Sequence, residues 1–296
     1  MDLRTMKPIA KAFCIDTEQK VVKSLAKQRS WSYSDRRKVT LKSGAANNWA
    51  YGYFKLAHKA IDMLDQEFVR LKKLLSSLSG GTGSGIGTYV TEILRLRFPG
   101  AFIINQVIWP FLHGEVVLQH YNILLSLSHL NKASDLILIH ENDDLTNICK
   151  KRFHIENVTF KDMNKWVIRC LMQVLLPVEN SDCEEFRRKV YGNTRKCYLI
   201  YSAPQISEDL KSYSNFDWKN VAKNCIQMAL TKCATDEGIS WYPSQNSVQN
   251  YMNMIIILRG PKSLENSENF QSYSPHVMYN EVGMPQFKDI SCTLLV

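Results

Sequence analysis

The sequence lacks several patterns that would fix its chemistry at once. Its eight cysteines, Cys14, Cys149, Cys170, Cys183, Cys197, Cys225, Cys233 and Cys292, contain no Cys-x-x-Cys pair. Neither a zinc site nor a disulfide framework is suggested, and a reducing compartment fits best. Long apolar runs are missing as well: the most apolar stretch, Met254 to Leu258, is far too short to span a bilayer, and no signal-peptide pattern opens the chain. A soluble, intracellular protein without a membrane partner is expected. The net charge of +9 has no nucleic-acid motif beside it and is spread along the chain, so it reads as a solvated surface open to an acidic partner. What is present is ordinary globular material: 296 residues, 45% hydrophobic and 22% charged, enough to bury a core in two domains or one large one.

The most informative stretch is Ser79-Gly80-Gly81-Thr82-Gly83-Ser84-Gly85-Ile86-Gly87. With so few Cβ atoms, consecutive backbone N–H groups can close around a bulky anion, which is phosphate-loop chemistry. Ile86, Tyr89, Val90, Ile93 and Leu94 follow at helical spacing, so the dipole of the next helix would point into the loop, and Pro99-Gly100 stops that helix. A flexible linker would not run into such a helix. The lysine-dependent phosphate loop is excluded because Ile86 and Gly87 stand where Lys and Ser/Thr are required. The dinucleotide fingerprint is excluded too, since counting from Gly81 or Gly83 puts Ile86 or Thr88 at the sixth position.

Around this loop, apolar runs and helical patterns alternate. Ile9 to Ile15 reads as a strand delivering Asp16 and Glu18 at its end, and Ser43 to Tyr53, with Asn47-Asn48, reads as a ligand-binding turn. Ala57, Ile61, Leu64, Phe68, Leu71 and Leu75 give a helix. That leaves Leu74 to Leu78 as a strand shortened or merged with it. Phe102 to Ile108 and Leu136 to Ile139 are further strands, Leu124, Leu125, Leu127 and Leu130 mark a helix between them, and His140 to Asp144 cap the next one. A long helix follows through Met163, Val167, Cys170, Leu171, Val174 and Leu175. His113, His120, His129, His140 and His154 show no ligand spacing and read as surface or capping residues. The alternation predicts an α/β fold with a doubly wound, mostly parallel sheet. From Lys196 onward the pattern is mixed: strands at Cys197–Tyr201, Met254–Gly260 and Ser291–Val296, and a helix from Trp218 to Leu230.

The glycine loop, the Gly44-to-Gly52 segment with Asn47-Asn48-Trp49-Ala50, and Asp16-Thr17-Glu18 together resemble the tubulin superfamily. Asn105-to-Pro110, Gly114-to-Val117, Tyr121-Asn122, Leu127-to-Leu130 and His140-to-Asp143 resemble its delta members more than the alpha, beta or gamma ones. The resemblance implies a GTP/GDP-binding cytoskeletal protein. Phosphates would be held by Ser79, Gly80, Gly81, Thr82, Gly83, Ser84, Gly85 and Asn47, the guanine and ribose by Gln119, Asn142, Phe160 and Asn164, and Mg²⁺ by Asp16 and Glu18. It implies a GTP-binding domain over 1–178 that lacks the family's first strand and ends in the core helix, a linker over 179–196, and a partial, smaller α+β second domain over 197–296. Pro177 to Lys196 does not reproduce the family's acidic catalytic loop, so GTPase activity is expected to be weak or absent, with no catalytic residue assigned. Implied partners are tubulin subunits or microtubule and centriole proteins, and implied locations are the cytoplasm and cytoskeleton at centriole, basal body and cilium, with the nucleus as a further one. Two alternatives stay open: a nucleotide-free structural remnant of a tubulin, and an NAD-dependent α/β enzyme.

Overall fold

The computed structural model describes residues 7–25, 31–41, 43–62, 73–114, 116–175, 196–205, 254–260, 277–283 and 291–295, with single residues within 220–228. The chain divides into two compact units, Met1–Ile137 and Leu138–Val296.

In the first unit, β1 (Cys14–Asp16) and β2 (Lys38–Thr40) pair in parallel and flank α1 (Gln19–Leu25). The apolar run from Ile9 is therefore a strand only at its end; upstream, Ile9 makes a single bridge to Ser32. Helix α2 (Trp49–Tyr51) continues through a π-helical turn, Gly52–Leu56, into α3 (Ala57–Asp62). The expected helix through Leu75 is overturned at its far end, because β3 (Lys73–Ser77) is a strand parallel to β4 (Ile104–Trp109), with Leu75 opposite Gln106. The positions Leu64, Phe68 and Leu71 lie outside the described residues.

The glycine stretch enters a second π-helical turn, Thr82–Ile86, which runs directly into α4 (Gly87–Arg97). The apolar stripe faces inward as its spacing dictates: Ile86, Val90 and Leu94 are buried with Val39, Leu56, Ala57, Ala60, Ile61 and Ile103, and Tyr89 and Ile93 pack at the edge. Below the helix, Arg95 donates to the carbonyls of Ala133, Pro99 and Ala101 at 2.8–2.9 Å and pairs with Asp135, whose carboxylate also accepts from Ile103 N at 2.7 Å. That cluster clamps the end of α4 to the start of β4.

Helix α5 (Gln119–Ala133) forms where its leucines place it, with those leucines split between its faces. Leu124 and Leu125 are exposed, and the buried face carries Gln119, Asn122, Ile123, Ser126, Leu130 and Ala133. A polar buried face is costly unless each group finds a partner, and here the partners are the loops of the candidate site.

In the second unit, β5 (Leu136–Glu141) leads into α6 (Asn142–Lys151), followed by α7 (Phe160–Leu175) and β6 (Cys197–Ala203). The strand order from there is β5-β6-β9-β7-β8, with β7 (Met254–Gly260), β8 (Val277–Gly283) and β9 (Ser291–Leu295). β9 is antiparallel to both β6 and β7, while β7 and β8 are parallel. β8 carries no clear sequence signal, since Tyr, Asn and Glu interrupt its apolar residues. The fold is mixed α/β, with parallel strand pairs and flanking helices. Of the stretch Pro177 to Lys196, which does not reproduce the family's acidic loop, 177–195 lie outside the described residues, as do most of 206–253.

Candidate functional site

The site of the first unit is where two helix starts meet. Ala46 and Asn47 both adopt the left-handed conformation, with φ of 49° and 50°, which swings the chain into α2. Asn tolerates this region and Ala does so at a cost. Asn48 then caps α2, its side-chain oxygen accepting from Tyr51 N at 3.1 Å.

Against this turn lies the glycine stretch, and the glycines serve close backbone packing. A Cβ at Gly81 would stand 2.6 Å from the carbonyl oxygens of Ala45 and Asn48, and one at Gly85 would stand 2.4 Å from that of Trp49. From the other side, a Cβ at Gly52 would be 2.1 Å from the carbonyl oxygen of Gly81. Gly83 packs on Ser77, whose carbonyl oxygen would lie 2.3 Å from an added Cβ. Gly80 is the least constrained of these, meeting only the Asn47 Oδ1 atom at 3.2 Å. Because the helix starting at Thr82 lacks acceptors for its first amides within itself, that end presents N–H donors and the positive pole of its dipole, an arrangement suited to an anion.

Side chains fix the arrangement. Thr82 Oγ1 lies 2.7 Å from Thr17 Oγ1, tying the loop to the turn after β1. Ser84 Oγ donates back to the Gly80 carbonyl, and Ser126 Oγ on α5 donates to the Ser84 carbonyl at 3.3 Å. Asn122, a residue given no role from sequence, is buried and bonds to both loops: Nδ2 donates to Asn47 O at 2.9 Å and to Ser79 O at 2.7 Å, and Oδ1 accepts from Trp49 N at 2.9 Å. Its sequence signals are its place in the Tyr121-Asn122 pair that resembles the family and its position one turn beyond Gln119, neither of which states a role.

Of the remaining expected residues of this unit, Asp16 and Glu18 flank Thr17, and Gln119 starts α5 one turn before Asn122. Asp16 ends β1, and its Oδ1 accepts from Glu18 N at 2.9 Å in a turn that leaves the Glu18 side chain exposed. Two carboxylates do not close a metal site, and among the described residues no group of three or more His, Cys, Asp or Glu could hold a metal. Mg²⁺ is nevertheless commonly held by one or two carboxylates together with ligand phosphates, and this turn offers that donor set. Gln119 is buried; its Nε2 donates to Phe111 O at 3.0 Å, while its Oε1 is buried without a hydrogen-bond partner. An orphan acceptor of this kind suits a ligand hydroxyl.

Behind the site, Trp49 stacks on Tyr53 with ring centroids 4.6 Å apart, and Glu92 accepts from the Tyr53 hydroxyl while facing His129 Nδ1 at 2.7 Å. Burial and the neighbouring carboxylate push the Tyr53 phenol well above its ordinary range. His129 is thus a structural partner of Glu92 rather than a surface residue.

The other expected residues belong to the second unit. Asn142 opens α6 and is half-buried, Phe160 opens α7 and is exposed, and Asn164 is exposed one turn further on. Thr146 Oγ1 contacts Met163 Sδ at 3.3 Å, which brings the early turns of α6 and α7 together. Thr159 and Asp162 brace the start of α7: Asp162 Oδ2 accepts from Thr159 N at 3.1 Å and from its hydroxyl, and these bonds lower the Asp162 pKa. His140 corrects a further expectation. It is 4% exposed in β5, and burial lowers its pKa to about 4. Its Nε2 and that of Gln205 lack partners, and both residues line a cavity of about 20 Å³, room for one water.

Comparison with known proteins accords with this geometry. The model of the Tubulin/FtsZ family, GTPase domain, matches residues 3–150. The chain is 34% identical over 257 residues to the tubulin delta chain of Mus musculus, covering 79% of this chain and 56% of that one. It is 32% identical over 262 residues to the tubulin delta chain of Homo sapiens, covering 80% and 58% respectively. The chain spans just over half the length of these curated relatives. From the paired loops, the parallel strands and the match across the first unit, the chain belongs to the Tubulin/FtsZ family.

Proposed function

We propose that this chain binds GTP and GDP as a cytoskeletal protein of the delta-tubulin type, acting with tubulin subunits or other microtubule proteins at centrioles, basal bodies and cilia. The observation that carries the reading is the junction of two helix starts, at Trp49 and Thr82, held together by glycine contacts and by Thr17, Asn122 and Ser126. Such a junction concentrates amide donors where an anion binds without any lysine.

Ser79 to Gly85 and Asn47 take the phosphates in this reading. Gln119 offers its orphan oxygen to a ribose hydroxyl. Asn142 and Asn164 supply donor and acceptor groups suited to guanine, and the exposed Phe160 ring supplies a stacking face. Asp16 and Glu18 assist a phosphate-bound Mg²⁺. Hydrolysis is weak or absent, because without an acid to orient water the chemical step slows while binding persists.

Competition binding with a fluorescent GTP analogue tests this. GTP and GDP should displace the analogue and ATP should not. Thr82→Val, which removes a hydroxyl without adding bulk, should weaken GTP binding about tenfold if that hydroxyl meets a charged phosphate. Undiminished affinity in Thr82→Val removes that residue from the site, and equal displacement by ATP rejects the guanine assignment. The cytoskeletal part is tested by tagging the chain in ciliated cells. Signal at basal bodies is expected, and a diffuse signal that ignores them contradicts the role.

A further inference from the structure

We propose that Asn122 is the positioning residue that holds the two phosphate-binding segments in one register, and that it thereby sets affinity for the phosphate chain and not for the base. The proposal rests on the nucleotide reading above. Asn122 stands on α5, outside both loops, and is 2% exposed. Its amide is fully used: two donors go to Asn47 O and Ser79 O at 2.9 and 2.7 Å, and the acceptor takes Trp49 N–H at 2.9 Å. Three backbone groups from two separate segments therefore depend on one side chain.

The consequence follows from the planarity of the peptide unit. In a trans peptide the carbonyl of one residue and the N–H of the next point in opposite directions. Fixing the Ser79 carbonyl on Asn122 therefore aims the Gly80 N–H away from α5. Fixing the Asn47 carbonyl holds a turn that already contains two left-handed residues, Ala46 and Asn47. If either carbonyl turned outward, its lone pairs would face the phosphate oxygens and repel them. A neutral base would not feel this, so the selectivity is electrostatic.

Ser126, one turn along α5, extends the same support: its hydroxyl donates to the Asn122 carbonyl at 2.7 Å and to Ser84 O at 3.3 Å. Neither residue touches the ligand in this account; both act through the backbone they hold.

The test measures competition by GDP and by guanosine against a fluorescent GTP analogue, on the full chain. Asn122→Ala should weaken GDP about tenfold or more, as expected for lost buried hydrogen bonds, and leave guanosine within about twofold. Asn122→Asp should be worse than Asn122→Ala, because a carboxylate would face two carbonyl oxygens. Equal loss for GDP and guanosine, or no loss for GDP, overturns the proposal. Should both variants fail to fold, the wild-type chain with ¹⁵N-labelled asparagine decides: the Asn122 side-chain amide should shift and exchange more slowly with GDP but not with guanosine. An amide indifferent to GDP overturns it. A wild-type chain that binds no guanine nucleotide instead removes the nucleotide reading beneath it, and the proposal falls with it.

Discussion

A methyl group at Gly85 would stand 2.4 Å from Trp49 O and 2.8 Å from Tyr53 N, so this glycine is required before any ligand arrives. Gly85→Ala should lower the stability of the nucleotide-free chain by about 1–3 kcal/mol, the usual cost of forcing extra volume into a packed site, as read by urea denaturation. Gly80, with only the Asn47 side chain 3.2 Å from an added Cβ, should tolerate Ala far better. If both substitutions cost the same, the packing role assigned to Gly85 is wrong. Ala46 gives the opposite sign: its φ of 49° is strained for alanine, and Ala46→Gly should stabilise the chain by up to about 1 kcal/mol. From sequence, the glycines signalled backbone freedom around an anion. That their hydrogens also allow two helix starts to interlock was not legible, because the partner backbone at Ala45 to Trp49 is distant in the chain.

At the scale of elements, Arg95 shows how much rests on one side chain. It satisfies three carbonyls and the Asp135 carboxylate at the junction of α4, β4 and the end of α5. Arg95→Met should cost about 3 kcal/mol or more, since Asp135 is left with an uncompensated charge. Converting Asp135 to Asn in the same background should recover part of that loss, and a double variant no better than the single one would contradict the pairing. The elements legible in sequence were those whose packing follows local periodicity, such as α4, whose Ile86, Val90 and Leu94 face the core as spaced. β3 was obscured because Leu74 and Leu75 also continue the helical stripe begun at Ala57. The strand is instead selected by its pairing with β4, which no local pattern encodes. The buried face of α5 was hidden for a related reason. Leu124 and Leu125 lie on its exposed face while Leu130 is buried, and its inward polar residues have partners only once the loops are in place. Gln119 was legible through family likeness alone, and Asn122 only as part of the Tyr121-Asn122 likeness, without its role.

For the whole molecule, the acid side of the stability curve should carry the imprint of His140. Its pKa is lowered to about 4 in the folded chain, against an ordinary value of 6.5, so between those limits the unfolded chain binds the extra proton. Stability must then fall as pH drops from about 6.5 towards 4, by on the order of 3 kcal/mol from this residue. His140→Leu should flatten that slope in thermal melts from pH 7 to 5. An unchanged slope would show that His140 does not stay neutral in the fold. Asp162 adds to the same direction at lower pH: its lowered pKa means that stability present above its ordinary range is lost as the group protonates. Both shifts arise within the chain itself, from burial and from the Thr159 bonds, so their effects should appear without nucleotide.

The central claim is that backbone amides of a lysine-free glycine turn hold the anionic part of a guanine nucleotide. Hydrogen–deuterium exchange on the full chain, with saturating GTP and separately with ATP, tests it directly. The account predicts slower exchange at residues 79–86 and 47–49 with GTP and no change with ATP. Unchanged exchange across both segments at saturating GTP, or equal protection by ATP, would contradict it.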